Sequence, residues 1–199
     1  SSGGTGTLQV SLTDAPACGG YDEVNVTVVG VRVHKSDSAG DDDGGWVDLP
    51  MAAPFQTTGM RVNLLDLTNG VIQGLGQVVL PAGKYTQMRL ILAANGGTTP
   101  YANSVVPVGG SETALTTPSA QKSGLKLNLD VDVPAGQVAH VVVDFDACRS
   151  VVKRGNSGHY NLKPVLRATA VLSGMRVIGW VSLPLANDYP NVSLQFNGL

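Results

Sequence analysis

Residues 124–133 read GLKLNLDVDV, and their reading decides the fold. Leu125, Leu127, Leu129, Val131 and Val133 share one parity, while Lys126, Asn128, Asp130 and Asp132 share the other. A period of two places the first set on one face of a strand and the second in water. The next run, QVAHVVVDF at 137–145, follows across Pro134-Ala135-Gly136, so the pair is expected to form a hairpin.

The same pattern extends outward in both directions. TLQVSLTDAP (7–16) alternates Leu8, Val10 and Leu12 against Gln9 and Ser11, then stops at a turn. In DEVNVTVVGVRVHK (22–35), Val24, Val26 and Val28 are even, but Val29, Val31 and Val33 are odd. One extra residue at Val28-Val29, a β-bulge, would keep both halves facing one core. RVNLLDL (61–67) reads as a strand, TNGVIQGLGQ (68–77) as the place for a short helical turn, and VVLPAGKYTQMRLIL (78–92) as strand, turn and strand. HYNLKPVLRATAVL (159–172) and MRVIGWVSL (175–183) complete the series. No window carries a helical stripe. About ten strands with closely spaced turns imply an all-β, antiparallel β-sandwich of Greek-key or transthyretin-like kind. Its expected organisation is a flexible lead-in at 1–6, a sandwich at 7–172 and a strand extension at 173–199.

Composition agrees. Of 199 residues, 14% are charged, with 25 Gly and 11 Pro punctuating short apolar runs. A net charge of −2 leaves no electrostatic footprint for nucleic acid or an anionic membrane. No run approaches the eighteen or so apolar residues of a membrane helix, so no transmembrane segment is expected. The opening SSGGTGT reads as the mature end left after processing or as an expression boundary, and suits a flexible tether. Cys18 and Cys148 are the two cysteines. They form either one long-range disulfide or two buried thiols.

VSLTDAPAC, LPAGKYTQMRLIL, SGLKLNLDVDV and DFDACRSVVKRGNSGHYNLKPVLR together resemble a β-rich domain family of unknown function found in exported bacterial lipoproteins. The resemblance covers roughly residues 7–171. It implies export to the outer surface or exterior of a bacterium, a sandwich fold and pairing of Cys18 with Cys148. It brings no catalytic residues. GWVSLPLA and VSLQFNG are similar to the first strands of a carboxypeptidase-regulatory-like β-domain.

Candidate chemistry is sparse. His34, His140 and His159 are the three histidines, and Ser157 stands beside His159, but no nucleophile elbow or cofactor motif occurs. Asp144 and Asp146 share one strand face, and a structural role in pairing with Arg149, Lys153 or backbone amides suits them better than glycosidase chemistry. Asp41, Asp42 and Asp43 are the candidate Ca²⁺ ligands, although they lack the spacing of a calcium loop. No other cofactor is expected, and the chain reads as a non-enzyme. Trp46, after the acidic loop, is the candidate glycan contact.

The last stretch, NVSLQFNGL, alternates Val192, Leu194 and Phe196 against Ser193 and Gln195. Such a strand pairs within its own domain, begins a second one, or adds to the sheet of another copy. The third reading is adopted: a secreted subunit that builds a filament by β-strand addition. Its assembly strand lies within 176–199 (Val177, Ile178, Trp180, Val192, Leu194 and Phe196), with residues 1–13 as the alternative donor. Its partners would be other copies of itself. A surface-tethered adhesion or polysaccharide-binding module is the competing expectation.

Overall fold

The computed structural model describes residues 3–14, 19–117 and 123–171. Within them β1 (Thr5–Thr13), β5 (Gln73–Pro81), β10 (Val138–Phe145) and β13 (Leu166–Val171) form a four-stranded sheet, ordered β13-β10-β1-β5. The second sheet has nine strands. It comprises β2 (Tyr21–His34), β3 (Val47–Leu49), β4 (Met60–Asn63), β6 (Gly83–Leu92), β7 (Ser104–Pro107), β8 (Thr113–Thr116), β9 (Leu125–Val133), β11 (Val151–Lys153) and β12 (Tyr160–Leu162). Its order is β11-β12-β8-β7-β2-β6-β9, with β3 and β4 paired to β2. Among the described residues, regular helix is limited to a 3-10 turn at Leu64–Leu67 and one α-turn, α1, at Ala147–Ser150.

The sheets bury their apolar faces against each other, β9 packing on β10 and β13, and β3 on β5. Leu8, Val10 and Leu12 of β1, Val141 and Phe145 of β10 and Leu127 of β9 all lie in one core. This is an all-β sandwich, and both sheets are mixed. β1 runs parallel to β10, and β12 parallel to β8, which corrects the wholly antiparallel expectation.

GLKLNLDVDV is the half-buried strand its alternation predicts, with every second side chain buried. Its partner differs from expectation. β9 pairs with β6, whereas β10 crosses to the other sheet and pairs with β1 and β13. Both strands carry a complete apolar face, and opposite sheets let those faces meet across the core. The connection is held to β1, since Thr7 N donates to Gln137 O and Gly136 N to Thr5 O, each at 2.8 Å. Gly6 is required there: a Cβ would overlap Pro134 O and meet Val133 Cγ1 at 2.6 Å. β1 therefore starts at Thr5, inside the stretch read as lead-in, and Gly4 O accepts from Ala82 N at 2.8 Å.

β2 is the spine of the larger sheet. Its register with β6 slips between Val28 and Gly30, so Val29 bulges out and is 40% exposed. Val24, Val26 and Val28 on one side of the bulge, and Val31 and Val33 on the other, all stay buried, as the phase flip requires. On this side of β2, pairing passes from β7 to β6. Asn103, fully buried, bridges that handover: its Oδ1 accepts from Thr27 N at 3.1 Å and its Nδ2 donates to Ala93 O at 2.7 Å.

RVNLLDL is only half strand. Asn63 Oδ1 accepts from Leu65 N at 3.2 Å and from Val24 N at 3.1 Å, capping the 3-10 turn that occupies its second half. The helical turn thus precedes the expected place, and TNGVIQGLGQ holds a bend at Asn69-Gly70 and the start of β5.

Candidate functional site

Trp46 does not offer a bare platform. Its indole N–H donates to Gly40 O at 2.8 Å, while the guanidinium carbons of Arg32 and Arg89 lie 4.8 and 5.7 Å from its ring centre. His34 stands 5.1 Å away ring to ring. Ser36 N donates to His34 Nδ1 at 2.8 Å, leaving Nε2 to donate to Gly44 O at 2.9 Å. These contacts latch the acidic loop onto the sheet. Asp41 pairs with Arg89 at 3.3 Å, and Asp43 folds back onto Gly40 N at 2.8 Å. Asp41, Asp42 and Asp43 therefore do not converge, and among the described residues no three acidic, His or Cys side chains gather as metal ligands.

His140 meets a hydroxyl. Its Nε2 lies 2.9 Å from Ser11 Oγ, and burial lowers its pKa. The contact ties β1 to its neighbour β10, where Gln9 stands opposite His140. Asp144 lies farther along the same strand, level with Thr13 and Arg167. Burial raises its pKa, Asp146 adds to the shift and Arg167 opposes it. Asp146 caps α1 by accepting from Arg149 N at 2.9 Å. Ser157 and His159 shape a turn, the hydroxyl donating to Arg154 O at 2.6 Å. Cys148 is not free, and Cys18 lies outside the described residues. Val177, Ile178, Trp180, Val192, Leu194 and Phe196 lie outside them as well.

What the two sheets do present is edges. β9 carries Lys126, Asp130 and Asp132; β13 carries Arg167; β11 carries Lys153; the flanking β3 and β4 carry Asp48 and Arg61. Charges on an edge discourage pairing with another chain. β5, QGLGQVVLP, ends the four-stranded sheet and has no charged residue, and its Val79 is 65% exposed. Residues 50–52 cover part of it, Ala52 N donating to Leu75 O at 2.8 Å. From Gln77 to Pro81, no strand pairs beyond it among the described residues.

Beside this edge opens a cleft of about 840 Å³ between β1, β5 and residues 50–56. Gln9, Gln56, Gln73, Gln77 and Ser11 supply its polar lining, and Val10, Met51 and Ile72 are among its apolar residues. Gln9 Nε2 donates to Gln77 Oε1 at 3.1 Å across the strand pair. Among the described residues, no ionisable side chain lines it. Its volume falls in the range of ligand pockets, roughly 300–1,000 Å³.

A family model described as a domain of unknown function, DUF4382, matches residues 5–164. The chain belongs to the DUF4382 family. The resemblance read from the sequence thus resolves to an uncharacterised family, and the match carries neither a lipoprotein tether nor a regulatory-like second domain. No curated protein and no solved structure matches the chain. The DUF4382 span holds every residue lining the cleft, and it ends between β12 and β13.

Sequence reasoning missed this cleft. The alternation in TLQVSLTDAP places Gln9 and Ser11 on the polar face of β1, but glutamines at 9, 56, 73 and 77 meet only through the topology.

Proposed function

We propose that the protein is an exported, non-catalytic structural subunit that self-assembles by β-strand addition, with the exposed edge of β5 accepting a strand from another copy. One observation carries this reading: β5 is the uncharged strand among the sheet edges of the described residues. An unprotected edge is a template for pairing, and main-chain hydrogen bonds to it supply affinity in β-augmentation. The donor in this reading is residues 176–199. Residues 1–13 suit the role less well, since β1 lies inside its own sheet between β10 and β5. A contact between an edge and a distant strand is heterologous, and it propagates unless it closes.

Export fits a Cys18–Cys148 disulfide. That pairing is supported by the approach of the two regions, for Asp14 Oδ1 accepts from Ala147 N at 2.9 Å. The competing module centred on Trp46 has less support, because Arg32 and Arg89 lie over the indole.

Sedimentation velocity across a concentration series tests the proposal. Open-ended growth is expected for the wild-type chain and a single monomeric species for Val79→Lys. Wild-type protein that stays monomeric at every concentration overturns it.

A further inference from the structure

The cleft beside β5 has a chemistry that strand addition alone does not require. Among the described residues its walls are carboxamides and one hydroxyl, its remaining lining is largely apolar, and no ionisable side chain lines it. A carboxamide both donates and accepts, which matches the alternating N–H and C=O of an extended peptide and the amide or hydroxyl side chains on it. A charge entering here would lose water without meeting a counter-charge. A sugar would find no aromatic face among the lining residues. The favoured ligand is therefore an extended, uncharged peptide with apolar anchors.

We propose that this cleft selects the donor strand, and that its occupant is residues 191–199 of a second copy, NVSLQFNGL. This rests on the strand-addition reading above. The segment carries no charge, whereas residues 176–190 include Arg176 and Asp188. Val192, Leu194 and Phe196 form one face for the apolar lining, and Ser193 and Gln195 form the other, toward hydrogen-bonding neighbours. The cleft reaches along β5 to Gln77, where the uncovered edge begins, so one strand engages both. The edge supplies affinity for any extended chain, and the cleft supplies the preference for this one.

The test uses a full-length chain whose own segment is disabled by Val192→Asp, Leu194→Asp and Phe196→Asp. It is titrated against fluorescein-labelled NVSLQFNGL, read by anisotropy. Saturable binding is expected. It should weaken at least tenfold when Leu194 of the peptide becomes Asp, and at least tenfold when Gln9→Glu and Gln56→Glu are added to the protein. If Val79→Lys abolishes binding while the two cleft substitutions leave it unchanged, the edge reading stands and the selecting cleft is overturned. If the peptide binds through the cleft while the wild-type chain never grows, the cleft stands and the filament reading falls. Absence of peptide binding, or binding of a neutral oligosaccharide such as maltohexaose in its place, overturns the inference.

Discussion

Gly76 shows how little room the site leaves at the residue scale. A Cβ there would overlap Pro50 O and stand 2.9 Å from Leu49 Cδ2. The overlap is with backbone, so Gly76→Ala must push residues 50–52 off β5. Urea unfolding is expected to show a loss of about 1–3 kcal/mol, the usual cost of overpacking. His140 gives a pH signature. Burial lowers its folded pKa, so below the unfolded value of about 6.5 the unfolded chain binds the extra proton and stability falls with pH. Asp144 acts in the opposite sense, because its raised pKa makes the native state the better proton acceptor. Comparison with His140→Gln isolates the histidine, since the amide keeps a partner for Ser11. Thermal melts from pH 7.5 to 5.0 should fall less steeply in that variant than in the wild type. Neither feature was legible in the sequence. Gly76 looked like ordinary turn composition, and His140 gained its meaning from a strand 129 residues away in sequence.

Elements were legible where a local pattern alone set their form. The bulge in β2 followed from the parity flip at Val28-Val29, because a buried face cannot change side without an extra residue. Its consequence is measurable: Val29→Thr should lie within about 0.5 kcal/mol of wild type. Val31→Thr, at 1% exposure, should cost roughly 1–3 kcal/mol by burying a hydroxyl, with chemical denaturation reading both. Pairing was not legible in the same way. GLKLNLDVDV and QVAHVVVDF satisfy every hairpin signal, yet their apolar faces meet across the core in opposite sheets. Alternation fixes which side chains are buried and leaves the neighbouring strand undetermined. RVNLLDL failed for a related reason: Asn63 accepts from Leu65 N and Val24 N, and this local cap ends the strand before its apolar residues do.

For the whole molecule, the distribution of charge along edges matters more than net charge. Lys126, Asp130 and Asp132 on β9 were visible in the sequence as a polar face, and in the sheet that face belongs to an edge strand. The lack of charge on β5 acquires meaning only once β5 is known to end its sheet. Because neither β5 nor the proposed strand at 191–199 is charged, growth should change little between about 50 mM and 500 mM salt, by light scattering. The most direct measurement is negative-stain electron microscopy of the wild-type chain and of Val79→Lys, with circular dichroism to verify that both are folded. Filaments from the wild type and isolated particles from the variant are the predicted result. Isolated particles from both, or filaments that persist with lysine on the β5 edge, would contradict assembly through that strand.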